Sequence, residues 1–139
     1  MSYYFQMADQ DFKISPDKIN AAHEALYNYA IKDLDESVTG WYGTSPAYVT
    51  KQKWWKSFDA LMLDMGFAVD GSSGGVDYIE LHYEKYRDTE FEMFQVLAPF
   101  VEEGSFIQFV GEDCSVWRYA FKNGKCVEQY VAEVRWEDA

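Results

Sequence analysis

The residues of this chain with the chemistry to catalyse or ligate are two histidines, two cysteines and 24 carboxylates, and their spacing limits what they can do. His23-Glu24 has no second histidine one helical turn away, so the two-histidine zinc site of a metalloprotease is missing. No Cys-x-x-Cys pair exists to build a structural zinc site. His82 alternates with Glu80 and Glu84 on one strand face; the trio could hold a metal, but an exposed polar face is the plainer reading. Asp9-Gln10-Asp11 offers two hard oxygens to a cation, yet lacks the further ligands and closing glutamate of a calcium loop, and reads as a solvated turn. The run from Asp70 to Gly75 has the glycines of a phosphate loop but no lysine, and it leads into a strand. No Gly-x-Ser-x-Gly elbow presents a nucleophilic serine, and Cys114 beside Asp113 sits in a field that discourages a thiolate. Carboxylates are too numerous for any one glycosidase-type pair to stand out. The expectation is a non-enzymatic protein without cofactor or metal, whose function lies in recognition.

Charge narrows the choice of partner. The chain carries a net charge of −12, and 13 of its acids lie between Ser57 and Trp117, opposed there only by Lys85 and Arg87. Within that block Glu80, Glu84, Asp88, Glu90, Glu102, Glu103, Glu112 and Asp113 are expected to form one negative face. Such a field repels nucleic acid and anionic membranes and attracts a basic protein surface. A second candidate contact surface is the irregular stretch Asp33 to Thr50, where Trp41, Tyr42 and Tyr48 are aromatic anchors among polar groups.

The elements that must position these residues follow from hydrophobic period and punctuation. The length suits one domain with one core, and an aromatic content of 19% is too high for a disordered acidic tail. The N-terminus has neither a basic region nor a long apolar run, and no segment approaches the length of a membrane span, so a cytoplasmic location is expected. Tyr3–Met7 reads as a strand, extended by Phe12–Ile14 beyond the polar break. Ser15-Pro16-Asp17 starts a helix that follows Ile19, Ala22, Leu26, Tyr29 and Ala30 to about Ile31. A second helix from near Thr50 carries Trp54, Trp55, Phe58, Leu61, Met62 and Met65 and stops at Gly66. Phe67–Val69 and Val76–Tyr86 are strands, the latter with Ile79, Leu81 and Tyr83 on one side and Tyr78, Glu80, His82 and Glu84 on the other. A third helix opens with Thr89 and Glu92 at capping-box spacing, and Pro99 should bend or shorten it.

Ser105–Val110, Ser115–Phe121 and Lys125–Val134 form a β-meander, with Asn123-Gly124 as the strongest short hairpin signal. The expected fold class is α+β: a mostly antiparallel sheet ending in this meander, with two or three helices on one face, in a ferredoxin-like arrangement. Pairing the strands by a four-residue turn at Gly111–Cys114 puts Phe106, Gln108, Trp117, Tyr119, Phe121, Cys126, Glu128 and Tyr130 on one face. Ile107, Phe109, Val116, Arg118, Ala120, Val127, Gln129 and Val131 then share the other. The aromatic face is expected to be the core, because aromatic burial is worth more. Cys126 falls opposite Phe121 and Cys114 opposite Glu133, about 20 Å apart at the usual strand rise, too far for a disulfide.

Leu97-Ala-Pro-Phe-Val-Glu-Glu-Gly-Ser-Phe-Ile, then Gly111-Glu-Asp, Trp117-Arg-Tyr-Ala-Phe and Asn123-Gly, resembles a pattern in small acidic proteins of phages, plasmids and bacterial genomes whose function is largely unassigned. The resemblance covers roughly residues 76 to 136. It departs from the Gly-Glu-Asp-Gly turn of that pattern by placing Cys114 there. It implies an α+β domain encoded on a mobile element and carries no catalytic residue with it. Joined to the charge block, it leads to the expectation of an acidic inhibitor that mimics nucleic acid. The target would be a basic surface of a host defence protein, such as a nuclease or CRISPR effector, blocked in the anti-CRISPR or anti-restriction manner. The alternative is an immunity-type or regulatory protein that binds a toxin or host enzyme through the Trp41 loop.

Overall fold

The computed structural model of the chain describes residues 3–36, 55–71, 74–82, 90–131 and 138. In order these form β1 (Phe5–Asp11), a 3₁₀ turn (Pro16–Lys18), α1 (Ile19–Glu36), α2 (Phe58–Asp64), β2 (Phe67–Asp70), β3 (Tyr78–Leu81), α3 (Glu90–Leu97), a second 3₁₀ turn (Ala98–Phe100), β4 (Phe106–Gly111), β5 (Val116–Lys122) and β6 (Lys125–Tyr130). The fold is α+β: among the described residues, three helices, a four-stranded antiparallel sheet in the order β1-β4-β5-β6, and a β2-β3 hairpin. The hairpin is tied to the sheet just beyond β1. Ile14 and Val76 exchange backbone hydrogen bonds of 2.9 and 2.8 Å. The side-chain carbonyl of Gln10 accepts from the Ile79 amide at 3.3 Å. Read laterally, the strands therefore run β2-β3-β1-β4-β5-β6.

Local chemistry accounts for the helices. Ala22, Leu26 and Ala30 recur every fourth residue of α1 and are fully buried. Ser15 is not a side-chain cap: its hydroxyl donates to the Asp17 carboxylate at 2.6 Å, and a 3₁₀ turn containing Pro16 precedes α1. Ser57 is the cap of α2, its hydroxyl oxygen accepting the Ala60 amide at 3.3 Å. The helix expected from near Thr50 starts later: residues 55–57 are not helical, and Ser57 in an extended conformation caps a helix that begins at Phe58, so Trp55 precedes it; residues 50–54 lie outside the described set. Pro99 shortens α3 as expected: the α-helix stops at Leu97 and the 3₁₀ turn follows.

The core is a lattice of rings packed around Phe94 of α3. Its centroid lies 5.0 Å from Phe67, 5.8 Å from both Phe12 and Tyr119, and 6.2 Å from Phe121. One side chain of α3 thus touches rings from β2, from the segment after β1, and from β5. Most of these contacts are edge-to-face or tilted, the arrangement the ring quadrupole favours.

Two expectations about the strands need correction. Asp9-Gln10-Asp11 is not a turn but the end of β1, which accommodates the polar residues through an irregularity between Met7 and Asp9. The register of β4 on β5 also differs. Phe106 pairs with Ala120, Phe109 with Trp117 and Val110 with Val116, so the connection has one more residue than a four-residue turn. Ile107 and Phe109 therefore join Trp117, Tyr119, Phe121 and Cys126 in the core, while Phe106 and Gln108 turn to the other face with Val116 and Arg118. The extra residue is Cys114, which stands at φ 67°; its amide donates to the Gly111 carbonyl at 3.0 Å, and the Gly111 amide donates to Ser115 at 2.8 Å. A turn followed by one left-handed residue is a standard hairpin connection with glycine as its natural occupant, and a slip of one residue moves every side chain to the opposite face.

Two substitutions test this account. Cys114→Gly relieves the left-handed strain and should raise unfolding stability by about 1 kcal/mol in chemical denaturation; an unchanged or lower midpoint contradicts the turn geometry. Phe94→Ala should lose about 3–5 kcal/mol in the same assay, and a loss below about 1 kcal/mol would show that the lattice does not depend on it.

Candidate functional site

The acids singled out in the sequence do not form one face. Glu80 projects from the outward side of β3, exposed beside Tyr78 and His82. Glu102 and Glu103 are exposed at the end of the sheet where β4 begins. Glu112 and Asp113 are exposed in the turn where β4 ends, the length of that strand away, about 17 Å at 3.4 Å per residue. Glu90 cannot belong to any exposed face: it is the first residue of α3 and only 1% exposed. A helix N-terminus, with free amides and the positive end of the dipole, suits a buried acid there. Glu84, Asp88, Trp41, Tyr42 and Tyr48 lie outside the described residues.

Glu103 and Asp113 have structural partners. Glu103 accepts the Asn123 amide at 2.8 Å and so supports the β5–β6 turn, where Asn123 and Gly124 take φ values of 54° and 74°. Asp113 accepts from the Tyr3 hydroxyl at 2.5 Å and from the Ser115 amide at 3.1 Å. These bonds, that from Tyr3 foremost, hold its carboxyl down to about 2. The same contact pushes the Tyr3 phenol above its ordinary range. Tyr3 also explains Gly111, where a Cβ would lie 1.7 Å from the Tyr3 hydroxyl oxygen.

A different set of carboxylates is gathered at the junction of β1 and α1. Backbone hydrogen bonds stitch three segments together here. Besides the Ile14–Val76 pair, the Glu102 amide donates to Lys13 at 2.8 Å and the Asp77 amide to Asp70 at 2.9 Å. Asp77 and Glu102 line one shallow cavity of about 200 Å³ with Lys13, Ser15 and Gly71. Asp70 and Asp17 flank it, both exposed; Asp17 is held below the usual carboxylate range first by the Ser15 hydroxyl and then by a backbone amide. The cations close by are Lys13, whose ammonium lies 3.7 Å from Asp11, and Lys18. Asp17, Asp70 and Asp77 are not among the acids the sequence singles out. Their local signals are a helix start and a glycine-rich turn, and neither announces that a single bridge brings them to Glu102.

The glycine-rich turn separates this cavity from a larger cleft of about 390 Å³, lined by His23, Lys56, Asp59 and Asp70 among others. The His23 ring nitrogen Nε2 lies 2.9 Å from the Trp55 carbonyl, so its N–H donates there. Gly71 and Gly75 answer to packing: a Cβ on the first would meet the Gly75 carbonyl oxygen at 1.9 Å, and one on the second the Ile14 carbonyl oxygen at 2.4 Å. Among the described residues no three His, Cys, Asp or Glu side chains converge to hold a metal ion. Cys114 is exposed and Cys126 buried, neither in a disulfide; burial pushes the Cys126 thiol up to about 12. Among the described residues no helix is long and apolar enough to cross a membrane.

Compared with family models, with curated proteins and with solved structures, the chain matches none.

Asp113 carries a pH consequence. Its folded carboxyl titrates near 2 against an ordinary 3.8, so its contribution to stability is present above about pH 4 and lost as pH falls through 2. Tyr3→Phe removes the main cause and should move the Asp113 titration upward toward 3.8 in a carboxyl-carbon NMR experiment. A titration that stays near 2 would assign the depression to Ser115, through its hydroxyl and its amide.

Proposed function

We propose that this chain is a non-enzymatic binding protein whose acidic end docks on a basic surface of another protein. What supports the reading is the convergence of Asp17, Asp70, Asp77 and Glu102 from three segments onto one backbone-stitched end. Exposed carboxylates repel one another and contribute little to folding, so holding four on a rigid frame makes sense for a surface that meets positive charge. A frame fixed by main-chain hydrogen bonds also reduces the ordering lost on association. The partner class that fits is a protein with a channel built for phosphates, such as a nuclease or CRISPR effector, in which carboxylates stand where a nucleic-acid backbone would lie. On this reading the lateral order β2-β3-β1-β4 is a ferredoxin-like frame, and β5 and β6 extend it.

The test is retention of nucleic-acid-binding proteins from a bacterial lysate on the immobilised chain, compared with Asp17→Lys, Asp70→Lys, Asp77→Lys and Glu102→Lys combined. The chain should retain basic proteins that heparin and raised salt release, and the reversed variant should retain them at least about tenfold less. Equal retention by both, or retention indifferent to salt and heparin, would remove the reading.

A further inference from the structure

At the β4–β5 turn end of the sheet there is an open cavity whose walls are mostly aromatic. It measures about 200 Å³ and is lined by Tyr3, Ser115, Trp117, Glu128 and Tyr130. Register explains why these residues meet. Trp117 of β5 stands directly opposite Tyr130 of β6, and Glu128, two residues before Tyr130, shares its face. Tyr3 enters from the segment before β1, beside Gly111, with its hydroxyl on Asp113. Trp117 is a fixed wall: its ring stacks on Phe5 and Phe109, with centroids 5.9 and 5.7 Å away. Tyr130 is the open wall, 69% exposed.

The chemistry of these walls restricts the ligand. Among the described residues no lysine or arginine lines the cavity, so an anion finds no partner there. Both phenols are already engaged as donors, Tyr3 to Asp113 and Tyr130 to Glu128. Donation to a carboxylate pushes electron density onto the ring and strengthens the negative quadrupole that attracts a cation. Glu128 is drawn partly out of water, and burial lifts its carboxyl above the ordinary range. Among the described residues it forms no ion pair, so its charged form gains from a cation beside it. A primary ammonium is compact and strongly hydrated, and it needs several acceptors to enter. A quaternary ammonium is bulky and weakly hydrated and donates no hydrogen bond, so rings and one carboxylate satisfy it. The volume is below the roughly 300–1,000 Å³ of sites for drug-sized ligands and suits a single head group. We propose that this cavity binds the quaternary ammonium group of a small organic cation, the rings of Tyr3, Trp117 and Tyr130 attracting its methyl groups and Glu128 balancing its charge. It lies the length of β4 away from Glu102, so it is separate from the acidic end at the β1–α1 junction.

NMR titration of the full chain with tetramethylammonium chloride or choline chloride, each replacing sodium chloride at constant total salt, tests the proposal. Saturable shifts are expected at the amides of Ser115, Trp117, Glu128 and Tyr130, with a dissociation constant of about 1 mM. The neutral isostere of choline, with a tert-butyl group in place of trimethylammonium, should bind at least about tenfold more weakly. Tyr130→Ala should weaken choline binding about fivefold or more, whereas Tyr130→Phe, which keeps the ring, should lose no more than about twofold. Tyr130 is exposed, so both variants should keep their circular dichroism and melting temperature. Glu128→Gln should weaken choline binding by about fivefold as well. The absence of a saturable shift up to about 10 mM would overturn the proposal. So would equal affinity for the neutral isostere, binding indifferent to Tyr130→Ala, or shifts spread over the acidic surface as for a diffuse counterion.

Discussion

The structure depends on one side chain of α3 meeting rings from three different parts of the chain. Phe94 is fully buried and packs against Phe67, Phe12, Tyr119 and Phe121. Phe67 and Phe109 extend the lattice to β4, and Phe5 stacks on Trp117 at the upper end of β1. Rings are large and stiff, so a contact made edge to face in one place constrains the next. Among the described residues the hairpin β2-β3 joins the sheet through the Ile14–Val76 bridge and the Gln10–Ile79 bond rather than through a ladder, and Phe67 packs it against Phe94 and Phe109.

The second constraint is the turn between β4 and β5. Because Cys114 adds a left-handed residue, Ile107 and Phe109 face inward, and the lattice gains the ring that connects Phe5, Phe67, Trp117 and Tyr119. The same residue sends Phe106 and Gln108 outward, where they hold Arg118 flat against the sheet. One backbone conformation in a surface turn thus decides the composition of both faces. Tyr3 and Asp113 hold that turn from the side, through a hydrogen bond and through a ring seated where only glycine fits at position 111.

Charge is distributed by the same frame. Some carboxylates support turns, as Glu103 and Asp113 do, and Glu90 is buried at a helix start. Four others, Asp17, Asp70, Asp77 and Glu102, stand near where main-chain hydrogen bonds join β1, the hairpin and the start of β4, while Glu80 and Glu112 are exposed elsewhere. The outer sheet face is mixed, with Phe106 and valines among Asp9, Asp11, Gln108, Arg118, Lys122 and Lys125.

Much of the architecture was legible in local pattern. The order of strands and helices, the Asn-Gly hairpin, the stop at Pro99 and the inward side of β3 all follow from period, turn chemistry and proline, which act over a few residues. The aromatic side of β5 as the core was legible too, since burial of rings dominates that choice, and Cys126 of β6 joins it; Tyr130, expected on the same face, is 69% exposed. The face of β4 was not: it hangs on one extra residue in a turn, and a non-glycine at positive φ leaves no mark in the sequence. Nor was the buried state of Glu90 or the grouping of Asp17, Asp70 and Asp77 with Glu102. The sequence by itself determined the elements, the fold class and the sign of the charge, because each is a property of neighbouring residues or of their sum. Only the tertiary structure decided which acids stand together and which apolar residues stay outside, because both depend on pairings between segments far apart in the chain.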